Sequence, residues 1–350
     1  MSAVPRDLGQ FLHCYIPDLE EEMFSFLVVR EPEGFLYRLM RDYPERGGKR
    51  FRPVLVLLAC QACGGDVQKA MRTAVAFEMF QSFAVVHDDI EDDSEMRRGK
   101  PCLHKLHGIP LTINVGDALY AKVFEILCAN RAVLGENVAL DLMEEMVRGS
   151  CETFEGQAYD VGWIRQRYIP SEDEFMTMLR KKTGWYTGRG PCTAGAIIAG
   201  AETELRTCIG DFGESMAIAF QLRDDLLNLS SSEQDAGSAP GVTSGAYGKE
   251  RGGDIAEGKR TLIIIDLLGK CTAAEREEVL AILHRERQRN TVAEIERVIA
   301  LVEHYECDRY AERVCQQKVA ESLGHLEKLP PSPARDMLGE MLDFLVQRAF

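Results

Sequence analysis

The chain has 350 residues, 45% of them hydrophobic, and a formal net charge of −15. That apolar content supports a large buried core and excludes a disordered chain. The acidic surplus argues against non-specific binding to nucleic acid or to an anionic membrane, so an anionic ligand must be met by local cations or metals.

In chain order, Gly47-Gly48-Lys49-Arg50-Phe51-Arg52-Pro53 comes first. Glycines followed by an early proline predict a helix start, where backbone N–H groups favour an anion. The helix continues through the apolar run Val54–Cys60. Helical periodicity then predicts helices over Met71–Asp93, Asp117–Asn130, Ala139–Arg148, Ser171–Thr183, Leu205–Ser230 and Thr261–Leu268, free of Gly and Pro except for Gly210 and Gly213. Val54–Cys60 and Val75–Val86 are apolar most of the way round, the mark of inner helices. Ser230–Gly253 is rich in Ser, Gly, Ala and Pro and predicts a flexible loop of about 230–253, a lid or a passive surface loop. From Ala273 to Phe350 charged and apolar residues alternate, with a break near Leu329-Pro330-Pro331. Strand patterns are nearly absent. The expectation is an all-α fold: one domain over 1–350, a single large helical bundle with inner helices.

Eleven scattered cysteines include one C-x-x-C, Cys60 and Cys63, with no partner pair at zinc spacing. They predict reduced thiols. The N-terminus lacks a signal peptide's basic and apolar regions, and no apolar run is long enough to span a bilayer. A soluble, cytoplasmic protein without stable membrane insertion is expected.

The chemistry resides in two acidic clusters. Asp88-Asp89-Ile90-Glu91-Asp92 is followed by Arg97-Arg98-Gly99; Asp224-Asp225-Leu226-Leu227-Asn228 is preceded by Phe220-Gln221. On a helix Asp88 and Asp92 share a face one turn apart, and their repulsion calls for a cation. A lone D-D-x-x-D is about as often a solvated helix end, but an inner helix has no reason to end in aspartates. Two such clusters facing each other offer hard oxygen ligands, and Mg²⁺ binds through one or two carboxylates, waters and substrate phosphates. Asn228, in place of a third carboxylate, offers only a neutral carbonyl oxygen. Basic groups accompany the clusters at Lys49, Arg52, Arg97, Arg98, Lys182 and, closing the loop, Gly253-Asp254-Ile255-Ala256-Glu257-Gly258-Lys259-Arg260. Singly each is a common surface feature; in this order, around both acidic clusters, they point to metal-assisted polyphosphate chemistry.

These motifs resemble those of the trans-type isoprenyl diphosphate synthases, the short-chain polyprenyl synthetases, from Gly47 to about Thr261. The resemblance implies Asp88, Asp89, Asp92, Asp224 and Asp225 as metal ligands for three Mg²⁺ ions. It implies Lys49, Arg52, Gln81 and Arg98 at isopentenyl diphosphate, and Arg97, Lys182 and Lys259, with Lys249 from the loop, at the allylic diphosphate. Lys182, Thr183 and Gln221 would face the developing carbocation. Asn228 and Gln81 depart from the commonest pattern, which has Asp and His there. Phe83, five before the first aspartate, with small Ala84 next to it, resembles geranylgeranyl (C20) synthases; farnesyl (C15) and geranylfarnesyl (C25) products are the alternatives. On an ideal helix Ala84 lies about 40° from Asp88 and Phe83 about 140° away, so Phe83 reaches the cavity only if the cavity wraps round the helix. A single helical bundle around a central cavity and a homodimer are implied. The rival readings are a class I terpene cyclase, which needs no isopentenyl site, and a non-catalytic synthase subunit.

Overall fold

Val54–Cys60 is wholly withdrawn from solvent, as an inner helix requires. This run belongs to the helix Phe51–Ala62, which packs beside the 25-residue helix Val67–Glu91 at the centre of the molecule. The computed structural model describes residues 5–229 and 251–347. The helices Ile109–Ala129, Gly190–Ile198, Leu8–Phe26 and Pro333–Val346 pack on this pair; Glu136–Gln166 and Thr203–Leu227 pack on Gly190–Ile198, and Cys307–Leu326 packs on Thr203–Leu227. One contiguous apolar core runs from Leu8 to Val346. The fold is all-α, as expected.

Local chemistry sets the helix ends. Asp66 caps the central helix by accepting the Gln68 amide at 3.0 Å. Ser171 with Glu174, Thr272 with Glu275 and Thr291 with Glu294 form capping boxes for the helices that follow them. The predicted break near Leu329-Pro330-Pro331 separates the last two helices. The strand content of the described residues is one short hairpin, Met96–Arg97 against Lys100–Pro101. Its turn residues Arg98 and Gly99 both have positive φ, 52° and 73°, as a two-residue type I′ turn demands.

Two elements exceed the prediction. The helix expected over Ala139–Arg148 extends to Glu136–Gln166. Its glycines are contact points, not breakers: a Cβ at Gly149 would stand 1.6 Å from the Trp185 ring, and one at Gly156 would stand 2.2 Å from the Lys182 nitrogen. The helix over Ser171–Thr183 instead runs from Glu172 to Leu179, widens into a π-helix at Arg180–Arg189 and continues as Gly190–Ile198. π-helical turns recur at functional sites, and this one carries Lys182 and Thr183.

Of the predicted loop, residues 230–250, including Lys249, lie outside the described residues. Past them, the Gly252 amide donates to the Asn228 carbonyl at 2.7 Å, and the helix Gly253–Ala256 begins. No described helix is long and apolar enough to cross a membrane. All eleven cysteines are unpaired thiols.

Candidate active site

Both acidic clusters stand at the C-terminal ends of long helices, Val67–Glu91 and Thr203–Leu227. This is the negative end of the helix dipole, where carboxylates are disfavoured unless cations answer them. Asp92 closes the first helix, its amide on the Asp88 carbonyl at 2.9 Å, so the two carboxylates lie one turn apart. Lysines from elsewhere in the chain meet them. Lys182 Nζ lies 2.5 Å from Asp160 and 3.4 Å from Asp88. Lys259 Nζ lies 2.9 Å from Asp92, 3.0 Å from Glu257 and 3.8 Å from Asp254. Burial works against both ammonium charges, but the carboxylates outweigh it and hold both pKa values above the ordinary lysine range. Asp92 shows the opposite balance. Burial, reinforced by Asp88 and Glu257, raises its pKa to about 6 despite Lys259 and Lys182.

Asp89 turns away from this cleft. It is fully buried and lines neither cavity at the site. Its carboxylate accepts the Tyr43 hydroxyl at 2.5 Å and Arg97 Nε at 2.9 and 3.2 Å, with Arg97 Nη2 also bound. Arg97 reaches Asp88 at 3.7 Å.

In the second cluster, Gln221 Nε2 donates to Asp225 at 2.9 Å, and Asp224 lines the same cavity. Asn228 is buried, and its side-chain oxygen accepts the Asp254 amide at 3.1 Å. That oxygen ties the second cluster to the segment bearing Lys259. Its Nδ2 has no partner among the described residues.

The remaining predicted cations lie around the start of the helix Phe51–Ala62. Arg52 is buried, donates to Thr187 Oγ1 at 2.8 and 3.2 Å, and stacks on Phe51 and Tyr186 at 4.4 and 4.7 Å. Burial lowers its pKa, and no carboxylate among the described residues lies within ion-pair distance of it. Arg98 donates to the Tyr43 carbonyl at 3.0 Å and to the Gly47 carbonyl, which brings the hairpin onto the glycine turn. Lys49 is exposed, with its ammonium 5.2 Å from the Phe344 ring, and it does not line the cavity. Gln81 lines the cavity with its side-chain oxygen buried and without a partner among the described residues.

A cavity of about 360 Å³ brings these groups together: Arg52, Gln81, Asp88, Arg97, Lys182, Thr183, Gln221, Asp224, Asp225 and Lys259 all line it. A polar cleft of about 250 Å³ adjoins it and shares Asp88, Arg97, Asp254 and Lys259. The cavity's apolar arm passes both Phe83 and Ala84, so it does wrap round the helix. Phe83 packs on Tyr120 at 4.7 Å, His87 at 5.0 Å and Phe154 at 5.9 Å.

The donor set fits divalent cations completed by a ligand. Among the described residues no three His, Cys, Asp or Glu side chains cluster tightly enough to hold a metal by themselves. Mg²⁺, however, takes few protein oxygens and the rest from phosphate and water. Asp92, ionised against its burial, is an oxygen donor that such a cation would stabilise.

Sequence reading did not single out Asp160, Gln157, Glu257, Thr187 or Tyr43. Gln157 Nε2 stands 3.4 Å from Asp88. One signal was available: Thr153, Phe154, Gln157 and Asp160 follow helical spacing and all line the cavity.

A family model described as polyprenyl synthetase matches residues 33–302. The chain is 36% identical to the geranylgeranyl pyrophosphate synthase of Geoglobus acetivorans, over 94% of this chain and 96% of that one. It is 35% identical to the short chain isoprenyl diphosphate synthase of Methanothermobacter thermautotrophicus, over 98% and 99%. Its fold is similar to the crystal structure of geranylgeranyl pyrophosphate synthetase from Pyrococcus horikoshii, with a TM-score of 0.85, 30% identity and coverage of 97% and 98%.

Proposed function

The chain belongs to the polyprenyl synthetase family and is a prenyltransferase, and from that premise we propose that it condenses allylic diphosphates with isopentenyl diphosphate to make geranylgeranyl diphosphate. One observation carries the reading: Asp88, Asp224 and Asp225 line one cavity together with Arg52, Arg97, Lys182, Lys259 and an aromatic apolar arm, and Asp92 lines the cleft that adjoins it.

Asp88 and Asp92 on one wall and Asp224 with Asp225 on the other would hold divalent cations, Mg²⁺ by expectation and three in number. When bound, such ions neutralise charge developing on a departing diphosphate. The protein's own groups do the rest. Lys182, Lys259 and Arg97 bind the allylic diphosphate, joined by Lys249. Arg52, buried among aromatic rings without a carboxylate, binds isopentenyl diphosphate with Lys49, Gln81 and Arg98; a guanidinium's fork suits that geometry. Thr183 and Gln221 supply side-chain oxygens toward the allylic carbon as its bond to the diphosphate oxygen breaks. The isopentenyl double bond attacks that carbon, a proton is lost from the isopentenyl unit, and inorganic diphosphate is released. Holding both reactants close and excluding water, which would capture the cation, are the protein's main contributions. The reading takes Asp89 as a metal ligand by resemblance only; its bonds to Tyr43 and Arg97 favour a supporting role.

The C20 assignment rests on the aromatic Phe83 beside small Ala84, and on the similarity to geranylgeranyl synthases. The single core supports one domain. An outward apolar stripe, Leu140, Val147 and Phe154, supports pairing of two copies, and the absence of a described membrane span fits a cytoplasmic enzyme.

The test is incubation with dimethylallyl, geranyl or farnesyl diphosphate, labelled isopentenyl diphosphate and Mg²⁺. The expected result is a predominantly C20 product and no turnover in excess chelator. Predominant C15 or C25 product would revise the length assignment. Products lacking the isopentenyl label would mean a cyclase, and no turnover with any allylic substrate would mean a non-catalytic subunit.

A further inference from the structure

The helix Arg38–Glu45 contributes no residue to either cavity at the site. Its last turn nevertheless holds the Arg97-Arg98 hairpin from several directions. The buried Tyr43 hydroxyl donates to Asp89 at 2.5 Å and accepts the Leu103 amide at 3.3 Å, just beyond the hairpin. The Tyr43 carbonyl accepts Arg98 Nη1 at 3.0 Å. Arg46, next after the helix, spans the hairpin's open end, donating to the Arg97 carbonyl and the Pro101 carbonyl, both at 2.9 Å. Arg46 is itself fixed, paired with Asp42 at 2.6 Å and lying over the Tyr43 ring at 4.6 Å. Asp89 stands at the centre of this arrangement, with Tyr43 on one side and Arg97 on the other.

We infer that Tyr43 and Arg46 are positioning residues for the reaction: they clamp the hairpin so that Arg97, through Asp89, and Arg98, through the Tyr43 carbonyl, are preset for the two diphosphates. A floppy arginine would have to be ordered at each binding event, and that cost is removed when the guanidinium is already bonded in place. The two routes are separable. The Tyr43 hydroxyl, besides accepting the Leu103 amide, serves Asp89 and, through it, Arg97. The Tyr43 carbonyl, which any residue would supply, serves Arg98. Arg46 serves the backbone of the whole hairpin.

The inference rests on Arg97 meeting the allylic diphosphate and Arg98 the isopentenyl diphosphate, so wild-type turnover of both substrates is established first; its absence would refute the synthase reading, not the clamp. Steady-state kinetics are then measured on full-length Tyr43→Phe, Arg46→Gln, Asp89→Asn and the Tyr43→Phe/Asp89→Asn double variant, with thermal melts to confirm folding. Tyr43→Phe is expected to raise KM for the allylic substrate roughly 5- to 10-fold while KM for isopentenyl diphosphate stays within about twofold. Arg46→Gln is expected to raise both. In the Asp89→Asn background the Tyr43 change should add less than about twofold, because the hydroxyl acts through that carboxylate. A purely structural role would lower the melting temperature without splitting the two KM values. The inference is overturned if Tyr43→Phe changes neither KM or both equally, or if its effect adds in full to that of Asp89→Asn. Should Tyr43→Phe fail to fold, Arg46→Gln with both KM values unchanged overturns it alone.

Discussion

Asp92 shows how much one residue of this site costs the free protein. Its pKa is raised to about 6, first by burial and then by Asp88 and Glu257. A carboxyl raised in the folded state holds its proton more tightly there than in the unfolded chain. The stability cost is therefore fully present above about pH 6 and fades as pH falls through that value toward the ordinary carboxyl range. In chelator, Asp92→Asn should raise the unfolding free energy at pH 8 by roughly 1–3 kcal/mol and by much less near pH 4.5, while abolishing most turnover. Lys259 keeps Glu257 and Asp254 in the variant, so the substitution leaves no orphaned ammonium. Denaturant titrations at the two pH values check this; a variant no more stable than wild type at pH 8 would show that Lys259 already offsets the burial of Asp92. The same residue marks what the sequence made legible. Asp88 and Asp92 are found by a spacing of four, because a helix turns that into one face. Asp160, which meets Lys182, is found by no spacing, because its partner comes from another element; Glu257 stands only two residues from Lys259, a separation that marks no shared helix face. Asp89 shares the motif, yet its position on the helix turns it toward Tyr43, a residue far away in sequence.

At the scale of the element, the helix Val67–Glu91 does two things: it ends in the candidate metal-binding aspartates and lines the cavity below them. Phe83 and Ala84 both line the cavity despite their different directions from the helix axis. The neighbouring helices Ile109–Ala129 and Glu136–Gln166 bring Tyr120 and Phe154 round to meet Phe83, so the wall is built from three helices. Ala84→Phe is expected to fill the cavity and shift the product toward C15, and Phe83→Ala to open the aromatic cluster and shift it toward C25 or longer. Chromatographic sizing of labelled products reads both. An unchanged distribution in Phe83→Ala would place the floor at Tyr120 instead. Helix existence was legible wherever apolar periodicity ran unbroken. It failed at Glu136–Gln166 and Arg180–Arg189, where glycines read as breakers. There the missing side chains admit Trp185 and the Lys182 backbone at distances no Cβ would allow. The contact that seats a candidate catalytic lysine thus depends on the feature that obscured its helix.

For the whole molecule, the unbalanced surface runs up to the edge of the site. Leu140, Val147 and Phe154 are 54%, 49% and 42% exposed and recur every seven residues along one face of the helix Glu136–Gln166. Two helical turns take about 7.2 residues, so they form a single stripe. Ile109 and Ile113, also exposed, lie on the neighbouring helix. Scattered exposed apolar residues need no explanation, but an aligned stripe beside a second apolar helix marks an interaction surface. A second copy of the chain, meeting it by two-fold symmetry, would bury the stripe against itself. Phe154 links this surface to the candidate site, because the same ring lines its cavity and packs on Phe83. Pairing would then complete the cavity's outer wall as well as hide apolar area. Wild-type protein at micromolar concentration should sediment at twice the chain mass, and Val147→Glu, which leaves every cavity-lining residue in place, should sediment as a monomer. If the wall depends on pairing, that monomer should also make a broader distribution with more product beyond C20. A monomeric wild type would sink the pairing. A Val147→Glu monomer with an unchanged product distribution would leave the pairing standing and show that each cavity is closed by its own chain.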